Sequence, residues 1–159
     1  MENKGPAGRE RLFAYAPFVL WIVVVLVLGS SQGSSAQTSR FIRPIIEFFF
    51  PNAAPDTFLL IHAFIRKTAH FVEYGILAML AARAFSGPSS ILMRRRWAWF
   101  SIAAVAAVAC TDELIQSFLT SRTGSAWDVL LDLSGGLAGL ALYYLARLRS
   151  RKGLAAAAD

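Results

Sequence analysis

Ionisable side chains recur in three blocks between residues 66 and 132, at spacings that favour proton transfer and ion binding. The first block reads Arg66-Lys67-x-x-His70-x-x-Glu73-Tyr74. At about 100° per residue, these five side chains occupy an arc of roughly 120° on one face of an α-helix. An imidazole beside a carboxylate is a suitable general acid or base near neutral pH, which makes His70 and Glu73 candidates for that role.

Two later blocks repeat this pattern. In Asp112-Glu113-x-x-Gln116, the three polar side chains lie within about 100° of one another on a helix. Asp128 and Asp132 stack on one face at i, i+4 spacing. The blocks therefore predict three helices that each present polar groups toward a shared centre.

Acidic groups outnumber basic ones in these blocks. Arg122, between the second and third blocks, would hold anionic groups together with Arg66 and Lys67. The excess carboxylates need protons or a cation. We expect no metal cofactor, because no HExxH or comparable ligand set is present, and a divalent cation is the alternative. Candidate acid/base residues are His70, Glu73 and Glu113; candidate ligand-binding residues are Arg66, Lys67, Tyr74, Asp112, Gln116, Arg122, Asp128 and Asp132.

Two simpler interpretations compete with a functional site. Ser125 precedes Asp128 by three residues, which is the spacing of a helix-capping pair. The whole set is alternatively an internally paired network that only holds helices together. Nine ionisable groups at one depth are more than helix packing requires, so we favour a site.

The composition indicates that membrane helices position these groups. Hydrophobic residues make up 56% of the 159 residues and charged residues only 16%, whereas soluble domains have about 25% charged residues. A soluble enzyme is therefore disfavoured. The net charge of +6 comes from basic residues that flank apolar segments, so we expect no nucleic-acid partner.

Four apolar segments are predicted to span the membrane, within a single domain at residues 12–146. The aromatic segment at 41–50 is predicted to be an interfacial helix. Alternatively, the first segment is a signal peptide removed near Ser34-Ser35-Ala36. The predicted spans are 12–29, 70–85, 97–119 and 127–146, between tails at 1–11 and 147–159.

Charge sets the predicted orientation. With four spans, 11 of the 16 Lys and Arg residues lie on the side of the N-terminus, so the positive-inside rule places both termini in the cytoplasm. All three polar blocks then lie at the level of the outer leaflet. Gly135-x-x-x-Gly139 is predicted to let two helices approach closely.

These blocks, in this order and spacing, resemble the VanZ-like family of bacterial membrane proteins, named for teicoplanin resistance. The resemblance extends from the first block through Arg122-x-Gly124-Ser125 to Gly139, and Ile115 stands where many relatives have histidine. It implies an association with lowered susceptibility to glycopeptide antibiotics, which bind cell-wall precursors outside the membrane. No reaction is implied.

We therefore expect an all-α polytopic protein of the bacterial cytoplasmic membrane, a four-helix bundle with an interfacial helix after the first span. It would recognise or modify an extracytoplasmic amphiphile such as a lipid-linked envelope precursor, in contact with membrane lipids. Homodimerisation stays open, as does enzymatic activity. The alternative functions are ion- or proton-coupled transport and a non-catalytic scaffold for another membrane protein.

Overall fold

The computed structural model describes residues 5–30, 35–51, 54–87, 89–118 and 125–156. All of their regular secondary structure is helical, which confirms the all-α prediction. The helices are α1 (Gly5–Gly29), α2 (Ser35–Phe49), α3 (Pro55–Ser86), α4 (Ile91–Arg95), α5 (Trp97–Ser117) and α6 (Ala126–Ala156).

Three helices are long and apolar enough to cross a membrane, at Gly8–Gly29, Trp97–Ser117 and Ala126–Ser150. The chain is therefore a multi-pass membrane protein. Residues 70–85, predicted to be the second of four spans, form the second half of α3. Polar residues such as His70 and Glu73 lower the hydropathy of that half, and its crossing of the membrane stays a prediction.

Some helix boundaries differ from those predicted. Helix α6 continues beyond the predicted span at 127–146 to Ala156, because its Ala, Leu, Arg and Lys residues are good helix formers. Helix α5 ends at Ser117, and the predicted end at residue 119 lies outside the described residues. The short helix α4 was not predicted; the Ser90 hydroxyl caps it by accepting from the Met93 N–H.

Helix α3 lies at the centre of the bundle and packs against α1, α2, α5 and most extensively α6. Its second half presents small and branched apolar side chains to these neighbours. Leu77, Ala78, Ala81 and Ala82 are fully buried there. Because other helices pack against this half of α3, the Tyr74 side chain is also fully buried there.

Helix α1 supplies part of the core. Phe18 and Val25 are buried, and the Phe18 ring packs edge-on against Phe85 with centroids 5.5 Å apart. The Trp21 Nε1–H donates to the backbone carbonyl of Glu73 at 3.0 Å. The first apolar segment is thus an integral part of the bundle.

Glycines bring α3 and α6 into close contact, as the sequence predicts. A Cβ on Gly135 would overlap the carbonyl oxygen of Phe71, and one on Gly139 would overlap that of Gly75. Since both pairs follow the same order along their helices, α3 and α6 run parallel. Close backbone approach fixes their register.

Candidate functional site

The polar blocks meet at one end of the bundle, where α1 and α5 end and α6 begins. Asp112 lies five residues before the end of α5, and Asp132 lies six residues after the start of α6. At 1.5 Å per residue, both lie about 8 Å inside the helix ends. The α3 residues His70 and Tyr74 face them. We call these four residues, with Glu113 and Gln116, the polar cluster.

Most of this cluster is removed from solvent. Tyr74, Asp112 and Asp132 have no exposed surface, and Gln116 and Glu113 retain 2% and 7%. Burying charged or polar groups is costly unless they gain partners. The contacts inside the cluster therefore determine which of its groups can bind an ion or transfer a proton.

His70 links α3 to α6. Its Nδ1 lies 3.4 Å from Oδ1 of Asp132, within ion-pair distance but longer than an ordinary hydrogen bond. The imidazole also stacks on the Tyr74 ring, with centroids 6.5 Å apart and planes 18° from parallel. Among the described residues, the Tyr74 hydroxyl and both Asp132 oxygens have no hydrogen-bond partner.

Asp112 joins α5 to α1. The Gln116 Nε2–H, one turn later, donates to Asp112 Oδ2 at 2.8 Å and holds the carboxylate in place. A Cβ on Gly29 would overlap Asp112 Oδ1, so the end of α1 lies directly on this carboxylate. Sequence analysis missed Gly29, because a glycine after an apolar segment gives no sign of a distant carboxylate.

Glu113 contacts the start of α6. Its Oε2 accepts the backbone N–H of Ser125 at 2.7 Å, and the Ser125 hydroxyl accepts from the Trp127 N–H at 3.2 Å. Ser125 thus takes part in capping α6, while Asp128 does not. Asp128 instead accepts from Lys67 Nζ at 2.8 Å, in a pair whose side chains are 18% and 57% exposed.

Three side chains of the cluster have the arrangement of a three-ligand ion site. One ligand-type atom from each of His70, Asp112 and Asp132 lies within 4.8 Å of the other two. They come from three different helices. The same groups are also suited to passing a proton between an imidazole and a carboxylate.

A family model described as VanZ/LLP1 matches residues 13–147. The chain belongs to this family. The VanZ/LLP1 match covers most of the chain and includes α1, which the three sequence blocks do not reach. No curated protein and no solved structure matches the chain.

The remaining predicted residues of this VanZ/LLP1 protein lie around the cluster or outside the described residues. Arg66 and Glu73 on α3 are half-buried. Arg122 lies outside the described residues. The structure thus brings together the α3, α5 and α6 blocks at one end of the bundle.

Proposed function

We propose that this VanZ/LLP1 protein recognises an amphiphile of the bacterial cell envelope, such as a lipid-linked precursor, at the outer leaflet of the cytoplasmic membrane. The association of VanZ-like proteins with glycopeptide susceptibility supports this choice, because those antibiotics act on precursors outside the membrane. Modification of the bound molecule by His70, Glu73 or Glu113 is part of the proposal.

A cleft between α2 and α3 is the observation that carries the proposal. It encloses about 610 Å³ and combines an ion pair with aromatic rings. Arg43 Nε lies 2.7 Å from Glu47, and the guanidinium sits 5.7 Å from the centre of the Phe58 ring. Phe50 and Leu59 complete an apolar wall. A polar head and an acyl chain would each find matching contacts there.

The exposed Lys67 amine connects this cleft with the polar cluster. Leu59 in the cleft and His70 in the cluster are 11 residues apart on α3, or about 16 Å. Lys67 lies between them and is 57% exposed. An anionic head, such as a diphosphate, would bind Lys67 and Arg66, with Arg122 as a third cation.

The proposed topology has four spans, with α3 as the second span and α2 at the membrane surface. Helix α2 supports this placement because it buries Ile46 against the bundle and leaves Phe48 and Phe49 exposed. Both termini would lie in the cytoplasm, since 11 of the 16 basic residues then face that side.

The geometry gives less support to transport. The cluster occupies one end of the bundle, and beyond Tyr74 the inner face of α3 continues with Leu77, Ala78 and Ala81. These side chains are apolar and fully buried. Within the described residues, they close the line along α3 that an ion would follow.

A photoactivatable polyprenyl diphosphate tests recognition in nanodiscs that contain the full chain. We expect it to label wild-type protein, and an excess of unlabelled polyprenyl diphosphate to compete. The substitution Lys67→Met should reduce labelling several-fold, because it removes a cation that contacts the diphosphate. Labelling is read from the gel band and mapped by peptide mass spectrometry.

Arg95→Met is the matched control, since Arg95 is an exposed basic residue in α4, outside the polar blocks. It should leave labelling unchanged. Equal labelling of wild type and Lys67→Met, or labelling that does not map to α2 and α3, would refute the proposal. In cells, His70→Ala should change glycopeptide susceptibility while the protein accumulates normally.

A further inference from the structure

The distance between His70 and Asp132 is that of two ligands on one metal ion. In a tetrahedral zinc site, nitrogen and oxygen ligands lie about 2.0–2.1 Å from the ion and hence about 3.3–3.4 Å from each other. His70 Nδ1 and Asp132 Oδ1 are 3.4 Å apart, which is longer than the roughly 2.7–3.2 Å of an ordinary N–H···O hydrogen bond. This separation is compatible with both atoms binding one ion.

Asp132 has the buried environment of a metal-binding carboxylate. The residue is completely buried, and neither carboxylate oxygen has a hydrogen-bond donor among the described residues. A buried carboxylate is unfavourable unless a cation or a proton compensates it, and the His70 imidazole at 3.4 Å does so only in its protonated form. Lys67 does not compensate the charge of Asp132, because it pairs with Asp128 at 2.8 Å.

The Tyr74 hydroxyl provides a second, independent observation. Tyr74 has no exposed surface, and its hydroxyl has no hydrogen-bond partner among the described residues. The ring stacks on the His70 imidazole, with centroids 6.5 Å apart. A phenol in this position can hydrogen-bond to a water molecule on the ion.

Asp112 is held as metal-binding carboxylates commonly are. Ligands of this kind usually accept a hydrogen bond from an outer residue, which fixes their orientation. Gln116 donates to Asp112 Oδ2 at 2.8 Å and is itself only 2% exposed. A ligand-type atom of Asp112 lies within 4.8 Å of those of His70 and Asp132.

We propose that His70, Asp112 and Asp132 bind one divalent transition-metal ion, with Zn²⁺ as the reference ion. An imidazole with two carboxylates suits Zn²⁺ or Mn²⁺ better than a purely oxygen-binding ion such as Ca²⁺. The two carboxylate charges balance those of the ion. Three protein ligands leave a coordination position for water near Tyr74. The proposal does not depend on the amphiphile.

The sequence left a divalent cation only as the alternative, because its ligands come from three helices and form no recognisable metal motif. Known motifs place at least two ligands within a few residues of each other. Here the ligands are separated by 42 and 20 positions, and only the packing of α3, α5 and α6 brings them together.

Metal content of the purified full chain tests the proposal. Protein in detergent is stripped with a chelator, dialysed against Zn²⁺ and analysed by mass spectrometry for bound metal. We expect one tightly bound ion per chain, and a visible absorption spectrum typical of low-coordinate Co²⁺ when cobalt replaces zinc. Asp132→Asn should abolish binding, and Gln116→Ala should weaken it roughly 10–100-fold.

Asp128→Asn is the control, since Asp128 lies one turn before Asp132 and pairs with Lys67. It should bind Zn²⁺ as the wild type does. Absence of a stoichiometric ion in the wild type would overturn the proposal, and so would equal losses in both aspartate variants. If Asp132→Asn does not fold, His70→Gln replaces it. Because no amphiphile is present, this result is separate from the labelling experiment.

Discussion

Two adjacent carboxylates, Asp112 and Glu113, have different structural roles. Asp112 accepts a hydrogen bond from Gln116 and lies against Gly29 at the end of α1. Glu113 points to the chain that begins α6 and accepts the Ser125 N–H at 2.7 Å. The two residues are adjacent in the sequence, but their hydrogen-bond partners in the structure are different.

This difference predicts the effect of two substitutions at Glu113. Glu113→Ala removes the acceptor for Ser125 and should lower the free energy of unfolding by about 1 kcal/mol. Glu113→Gln keeps a carbonyl oxygen at that place and should retain most of the stability. Unfolding in mixed detergent micelles, followed by circular dichroism, measures both. Equal losses would contradict the proposed contact.

Residue type and spacing were sufficient to predict which side chains share a helix face. The i, i+4 pair Asp128 and Asp132 does project toward α3. Spacing alone did not reveal that Asp128 binds an exposed lysine while Asp132 is buried against His70. Such partners depend on the register between helices, which periodicity along one chain does not contain.

The contact between helices α3 and α6 depends on the absence of side chains. At Gly139, an added Cβ would overlap a backbone oxygen, which cannot rotate away. At Gly136 it would lie 2.8 Å from a methyl group of Val105, which can shift. At Gly8, nothing lies within 4 Å. The three positions form a graded test of packing.

We expect Gly139→Ala to destabilise the bundle by about 1–3 kcal/mol. Gly136→Ala should have a smaller effect, and Gly8→Ala almost none. Thermal unfolding of the purified variants in one detergent provides the measurement. A Gly139 variant as stable as the Gly8 variant would show that α3 and α6 are not in backbone contact.

Helix α1 gives a second prediction at this scale. Since Phe18 and Val25 belong to the core and Gly29 contacts Asp112, we expect the mature protein to retain residues 12–29. Intact-mass measurement of protein purified through a C-terminal tag checks this. A chain that begins after residue 36 would instead identify a signal peptide.

Hydropathy predicts α1, α5 and α6 well because each contains a long segment of mostly apolar residues. It is less informative for α3, which carries more polar residues and whose position at the centre of the bundle is a tertiary property. The extension of α6 to Ala156 also escaped prediction, because polar residues can continue a helix beyond an apolar segment.

For the whole molecule, the proposed orientation places 11 of the 16 basic residues on the cytoplasmic side of the membrane and the others, including Arg40, on the outer side. The sequence has a single cysteine, Cys110, so Cys110→Ala gives a background for labelling. In intact cells, a membrane-impermeant maleimide should modify Arg40→Cys but not Arg94→Cys. After permeabilisation, both should react. The reverse pattern would invert the topology.

The parallel pairing of α3 with α6 also has a consequence during synthesis. Asp132 and Ser125 belong to the last part of the bundle to leave the ribosome, yet they contact His70 and Glu113, which are made earlier. A truncated product that lacks α6 would leave polar groups facing acyl chains. The polar end of the bundle is therefore complete only after α6 has been synthesised.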